Sequence, residues 1–109
     1  MYSYNAKVVR IIDGDTVDAL CDLGFDVWIK KRIRLYGIDA PETRTRDLDE
    51  KKQGLVTKDR LTELLDSNNG AFILKSHGVG KYGRCLGTIF IEDQNINELL
   101  ISEGYARKY

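Results

Sequence analysis

Residues 34 to 42 read Arg-Leu-Tyr-Gly-Ile-Asp-Ala-Pro-Glu, and this segment fixes where a strand runs and where it stops. It contains the only proline of the chain, Pro41. Proline lacks a backbone N–H and keeps the residue before it out of the helical conformation, so we predict that the strand ends by Asp39. The strand end then brings together one guanidinium and two carboxylates, those of Arg34, Asp39 and Glu42.

This strand is the third of five that the sequence predicts. It covers residues 27–38, and its alternation places Ile33 and Leu35 on one face and Arg34 on the other. The other four segments, short and rich in β-branched or apolar residues, are 8–12, 16–23, 71–75 and 86–91. Between the first two, Asp13-Gly14 is predicted to supply the positive φ of a tight hairpin turn.

Two helices are predicted beside these strands. Residues 53–65 carry an apolar stripe at three- and four-residue spacing, after a polar segment, 43–52, that is predicted to be an exposed loop. Asn97 is predicted to cap a final helix. One helix between the third and fourth strands and one after the fifth fit an OB-type β-barrel with helices, with a mixed α+β sheet as the alternative.

The composition is that of a single soluble domain, residues 1–109, which buries roughly 65% of the surface of its unfolded chain. Seventeen basic and seventeen acidic residues cancel, which argues against a protein that coats nucleic acid through surplus positive charge. The charges are unevenly spread, since residues 11–29 hold five acids and no base, and Lys30, Lys31, Arg32 and Arg34 follow. Cys21 and Cys85 are too few for a disulfide scaffold, and we expect two reduced thiols.

The first seven residues, Met-Tyr-Ser-Tyr-Asn-Ala-Lys, contain no apolar signal region, and no segment approaches transmembrane length. We therefore expect a protein that stays inside the cell, or a secreted one if the chain is a mature form. We also expect a monomer with no membrane partner.

Acidic and basic side chains at three places in the chain suggest one kind of chemistry. Asp15 follows the predicted hairpin turn, Asp39 ends the third strand, and Arg84 follows a glycine-rich segment. Each is ordinary alone, as a turn acid or a solvated base. Together, two carboxylates suit a hard cation, and two guanidinium groups match phosphate geometry. The combination favours metal-assisted phosphoryl transfer.

The chain resembles the staphylococcal nuclease (thermonuclease) family over essentially its full length. The matching segments are Ile12-Asp13-Gly14-Asp15-Thr16, residues 34–42, Gly54 at the opening of a helix, residues 81–86, Asn97-Glu98-Leu99-Leu100 and Gly104-Tyr105-Ala106. The resemblance implies an α+β fold, the OB-fold, which is a five-stranded Greek-key barrel with about three α-helices. It also implies a calcium-dependent nuclease that cleaves DNA and RNA with little sequence preference, favours single strands and leaves 3′-phosphates.

The resemblance also implies roles for particular residues. Asp15, Asp39 and the carbonyl of Ala40 would bind Ca²⁺. Arg34 and Arg84 would contact the phosphate that is cleaved, and Glu42 would activate the attacking water. The residues implied in substrate binding are Lys81, Tyr82 and Tyr109.

Two positions depart from the family pattern. Ala40 stands where threonine is frequent, with little expected loss because only its carbonyl is used, and Gly80 stands where an aspartate usually precedes the basic segment. An OB module that binds nucleic acid or a protein without catalysis is the alternative function. A purely structural calcium site would need more oxygen ligands than the sequence offers.

Overall fold

The computed structural model describes residues 2–80 and 83–109. The strands in this part of the chain are β1 (Tyr2–Asp13), β2 (Thr16–Asp22), β3 (Trp28–Leu35), β4 (Ile38–Asp39), β5 (Ala71–Val79), β6 (Cys85–Ile91), β7 (Gln94–Asn95) and β8 (Arg107–Lys108). The helices are α1 (Leu48–Asp66) and α2 (Ile96–Ser102). Neither helix is long and apolar enough to cross a membrane.

The five long strands form a closed barrel, which confirms the predicted OB-type fold. They follow the order β3-β2-β1-β5-β6 with antiparallel neighbours, and β3 returns to pair with β6 in parallel. This last pairing joins Ile33, Arg34 and Leu35 to residues 85–87 and closes the sheet on itself. The described residues form two helices, where the family resemblance implied about three.

The core lies inside the barrel and under the two helices. Inward-facing residues of the strands, such as Val17, Ile33 and Leu35, are fully buried, and Leu61 of α1 and Leu100 of α2 belong to the same buried cluster. Cys21 and Cys85 are free thiols, as predicted. The alternation that fills the core necessarily points the intervening side chains of β2 and β3 outward.

The predicted exposed loop at residues 43–52 is wrong in its second half, because α1 begins at Leu48. The Asp47 side chain caps the helix by accepting hydrogen bonds from the backbone N–H groups of Asp49 and Glu50. These acids also suit the positive end of the helix dipole. The first turns of α1 are exposed to solvent, so they carry no apolar stripe. The sequence therefore shows no helical periodicity there.

The predicted cap of the last helix is also wrong by two residues. Asn95 is the N-cap, and its side chain accepts a hydrogen bond from Glu98 N. Asn97 is instead buried, where it accepts from Ile89 N and donates to the carbonyl oxygens of Tyr36 and Gly87. This side chain therefore ties α2 to the chain just beyond β3.

The hairpin between β1 and β2 forms as predicted, with Asp13 paired to Thr16. Gly14 does not have the positive φ that the Asp-Gly signal suggested. It is required for space, because a Cβ atom at this position would collide with the side chain of Thr57 on α1. The tight contact sets the hairpin, and with it Asp15, against the helix.

Candidate functional site

Asp15 is a buried carboxylate in the turn just before β2, only 7% exposed. Its Oδ2 accepts a hydrogen bond of 2.9 Å from the backbone N–H of Ala40, and its Oδ1 accepts one of 3.0 Å from the hydroxyl of Thr16. Its own carbonyl accepts from Leu35 N at 2.8 Å. Asp15 thus connects the hairpin to the segment that precedes Pro41.

Arg34 points out of the barrel, half-buried, between two carboxylates. Its Nη1 donates short hydrogen bonds to the carbonyl oxygens of Leu35 and Ile38, at 3.0 and 2.9 Å. Its Nη2 lies 3.5 Å from Asp15 Oδ2 and 3.5 Å from Asp39 Oδ1. The structure therefore brings together the three side chains that the sequence selected, from the β1–β2 turn, β3 and β4.

Arg107 is a member of the cluster that the sequence did not reveal. It donates to Asp39 Oδ2 from Nε at 3.1 Å and from Nη2 at 2.9 Å. The contact follows from the short ladder between β4 and β8, which pairs Asp39 with Arg107. No local pattern signals a pairing between segments so far apart in the chain, so only the tertiary structure could supply it.

Arg84 and Tyr109 complete a cleft beside Arg34. The cleft has a volume of about 560 Å³ and is lined by Arg34, Leu35, Tyr36, Gly37, Ile38, Asp39, Gly80, Arg84, Leu86 and Tyr109. The Arg84 carbonyl accepts from Gly80 N at 2.8 Å. The Tyr109 ring centre lies 5.8 Å from Arg34 Cζ, within cation–π range. Two guanidinium groups and an aromatic ring, all selected from the sequence, thus share one cleft.

Glu42 is exposed and does not line this cleft. Its backbone is closely held, since a Cβ on Gly54 of α1 would lie 2.6 Å from the Glu42 carbonyl oxygen. The next residue, Thr43, donates from its N–H and its hydroxyl to Asp13 Oδ1. Gly54 therefore lies within α1, where it packs against the backbone of Glu42. The family resemblance implied that Gly54 opens the helix, and this is wrong, because α1 begins at Leu48.

Tyr36 is a second residue of the cleft that the sequence did not single out for a role. Its ring stacks on His77 with centroids 4.2 Å apart and an angle of 9°. His77 Nε2 in turn lies 2.8 Å from the Thr88 hydroxyl. His77 thus packs behind Tyr36, which lines the cleft. Lys81 and Tyr82, also predicted to bind substrate, lie outside the described residues.

The side chains near Arg34 offer carboxylate oxygens, which are the type of ligand that a hard divalent cation prefers. Within residues 2–80 and 83–109, no three His, Cys, Asp or Glu side chains are grouped to hold a metal. Asp15 and Asp39 nevertheless both face one positive charge, the Nη2 group of Arg34. A cation such as Ca²⁺ accepts carboxylates together with backbone carbonyls, water and substrate oxygens. Two carboxylates and the adjacent Ala40 carbonyl suit a site that depends on water and substrate for its remaining ligands.

Comparison with known proteins identifies the family. The profile described as "Staphylococcal nuclease homologue" matches residues 32–109. The chain is 33% identical to Protein ParB of Escherichia coli over 94% of its own length and 56% of that protein. It is 32% identical to Micrococcal nuclease of Shigella flexneri (97% and 59%) and 32% identical to Thermonuclease of Staphylococcus intermedius (92% and 56%). The chain thus spans little more than half the length of these relatives.

Proposed function

The chain belongs to the family of staphylococcal nuclease homologues, and from this premise we propose that it is a calcium-dependent nuclease. It hydrolyses phosphodiester bonds of DNA and RNA with little sequence preference and leaves 3′-phosphates. The observation that carries the proposal is the position of Arg34, which lies between Asp15 and Asp39 and in one cleft with Arg84. Two guanidinium groups and the carboxylates therefore lie at one cleft that a phosphodiester can enter.

Arg34 and Arg84 bind the phosphate that is cleaved. Guanidinium groups match the geometry of phosphate oxygens and stay charged at any physiological pH. Arg34 is pre-oriented, because two hydrogen bonds to backbone carbonyls hold it, while its ion pairs with Asp15 and Asp39 are longer, at 3.5 Å each. Such fixed donors stabilise the negative charge that builds up on phosphate oxygens in the transition state.

Asp15, Asp39 and the Ala40 carbonyl hold the calcium ion. A bound cation neutralises phosphate charge and lowers the pKa of water. Because the protein supplies only two carboxylates, we expect weak binding without substrate, with a Kd of about 10⁻⁴–10⁻³ M.

Glu42 accepts the proton of the attacking water. Its backbone packs against Gly54, the next residue, Thr43, is hydrogen-bonded to Asp13, and Glu42 itself is exposed. No described side chain forms a hydrogen bond or ion pair with this carboxylate, so it is available as a base. Catalytic hydrogen bonds often form only in the substrate complex, so its position outside the cleft is compatible with this role.

Tyr109, with Lys81 and Tyr82, contacts the nucleotide beside the cleaved bond. The Tyr109 ring stands over Arg34 and is 86% exposed, so one face of the cleft offers an aromatic surface. Stacking on such surfaces is tolerant of sequence and needs unpaired bases, which supports a preference for single strands.

The test is digestion of single-stranded DNA and of RNA with Ca²⁺, Mg²⁺ or Mn²⁺, and with a chelator. We expect cleavage with calcium and none with the chelator. The product ends distinguish the cleavage side, since a 3′-phosphate blocks polymerase extension until a phosphatase removes it. Binding without cleavage under every ion would instead identify the alternative, a non-catalytic nucleic-acid-binding module.

A further inference from the structure

Strand β3 extends well beyond the cleft, and its outer face is a line of basic and aromatic side chains. Ile33 and Leu35 are 0% exposed and face the core, so the alternate residues face out. These are Arg34, Arg32, Lys30 and Trp28. Arg34 already lies in the cleft, so the line begins at the proposed catalytic site.

The first half of β3 is open along one edge. In the part of the chain that the structure describes, β6 pairs with β3 only at Ile33–Leu35. Since these strands run parallel and Ile33 faces Cys85, Arg84 comes immediately before the paired stretch. Both guanidinium groups of the cleft are therefore close to the point where the outer face of β3 begins.

Of the cations on this face, Arg32 is paired with an acid of β2, whereas Lys30 is not. Arg32 donates to Asp18 from Nε at 2.8 Å and from Nη2 at 3.2 Å, which holds it flat on β2. These bonds, with the nearby charges of Lys30 and Arg10, keep the pKa of Asp18 below its usual value. Lys30 itself faces Leu20 across the ladder, and no ion pair joins it to any residue in 2–80 or 83–109. Its ammonium group is thus available to a ligand.

Trp28 ends the line as an exposed aromatic residue. It pairs with Asp22 on β2 and is 48% exposed. A large ring in solvent next to basic side chains is the combination that proteins use to stack bases and contact phosphates of single strands. With a strand rise of about 3.3 Å per residue, Lys30 lies about 13 Å and Trp28 about 20 Å from Arg34.

We propose that the outer face of β3 binds the single-stranded nucleic acid as it leaves the cleft, with Lys30 contacting phosphate and Trp28 stacking a base. This rests on the proposed function, because it extends the same substrate-binding site. The occupant follows from charge complementarity and from continuity with the cleft. The length of the face matches several nucleotides, within the range of about 4–16 that OB folds bind.

The experiment compares binding of a fluorescent thymidine 12-mer and a trimer by anisotropy, in the Glu42→Gln background with calcium. We expect Trp28→Ala to raise the Kd of the 12-mer about tenfold and Trp28→Phe to restore it. Lys30→Ala should lower the salt dependence of 12-mer binding by about 0.7 in log–log slope. The trimer, which covers less of this face than the 12-mer, should lose less affinity than the 12-mer in each variant.

Lys31→Ala is the matched control, since Lys31 has the same charge on the opposite face of β3. Equal effects of Lys30→Ala and Lys31→Ala, or unchanged 12-mer binding by Trp28→Ala, would overturn the proposal. The two lysines are exposed, so their comparison holds even if Trp28→Ala does not fold. If the unsubstituted protein cleaves nothing, the proposed function fails while the binding comparison still decides the role of β3.

Discussion

Arg60 and Arg34 each lie next to two carboxylates, but at different distances. Arg60 on α1 is bound at short range, with Nε 2.8 Å and Nη2 3.0 Å from the Glu103 carboxylate and Nη1 close to Glu63. Arg34 gives its short bonds to backbone carbonyls and stays 3.5 Å from both Asp15 and Asp39. Arg60 is fully engaged by Glu103 and Glu63, whereas the guanidinium group of Arg34 keeps room for a closer partner such as a phosphate.

The same contrast applies to carboxylates. Glu103 has both oxygens occupied by Arg60, and Glu42 has neither oxygen bound by a side chain that the structure describes. An occupied carboxylate adds to stability, while an unoccupied one is available for proton transfer. For these two pairs, Arg60 and Glu103 hold α1 and the chain after α2 together, whereas Arg34 and Glu42 are the residues proposed for chemistry.

The strongest test exchanges the two glutamates for glutamine. Glu42→Gln should lower kcat by about 10²–10⁴, because the amide cannot accept the proton from water. Glu103→Gln should leave kcat unchanged. Steady-state hydrolysis of single-stranded DNA measures both variants, and circular dichroism confirms that both fold. Comparable rates in the two variants would exclude Glu42 as the base.

The two arginines provide the next test. Arg34→Lys should lower kcat by about 10²–10³, since one ammonium cannot bond two carbonyls and also present a fork to phosphate. Arg60→Lys should have normal turnover. The measurement is the same hydrolysis assay at saturating calcium. A loss confined to KM would show that Arg34 binds the substrate without stabilising the transition state.

Removing Arg107 tests whether this side chain competes with a cation for Asp39. Arg107→Ala frees Asp39 Oδ2 from two hydrogen bonds, and we expect calcium affinity to rise about two- to fivefold, the scale of an exposed ion pair. Lys108→Ala, which removes the same charge from the neighbouring residue of β8, is the control. Calorimetric titration without nucleic acid gives both affinities. Weaker binding after Arg107→Ala would mean that Arg107 positions Asp39 for the cation.

The smallest effect concerns stability and pH. Arg60 donates hydrogen bonds to Glu103 and thereby lowers the pKa of that carboxyl below its usual value of 4.5. A lowered pKa in the folded state stabilises the fold above pH 4.5, and this gain disappears as the pH falls through the lowered value. The urea midpoint of the unsubstituted protein should exceed that of Glu103→Gln at pH 7, and the difference should shrink as the pH falls below 4.5. A constant difference across this range would assign the effect to packing.

The barrel could be predicted because its strands carry their own signals. Alternation in β3 and the Asp-Gly hairpin are local features, and the structure contains both. The predicted third strand at residues 27–38 is too long, because β3 ends at Leu35 and a turn at Gly37, with a φ of 78°, separates it from β4, which ends at Asp39. The helix ends were missed for a physical reason. The first turns of α1 are capped by Asp47 and lie in solvent, so no apolar period marks them. Asn97 is a residue type that often caps helices, so the local sequence favours that role. Its burial depends on contacts with Ile89 and Tyr36, which are distant in sequence and leave no local signal.

For the candidate site, the sequence alone determined which side chains were available: Arg34 on an outward face, Asp15 after a turn, and Asp39 before a proline. These depend on strand alternation and on the backbone limits of proline, which act between neighbours in the chain. Only the tertiary structure decided the distances among them, the contact of Arg107 with Asp39, and the position of Glu42 outside the cleft. Those features arise where segments distant in sequence pack together, and no local pattern encodes such a meeting.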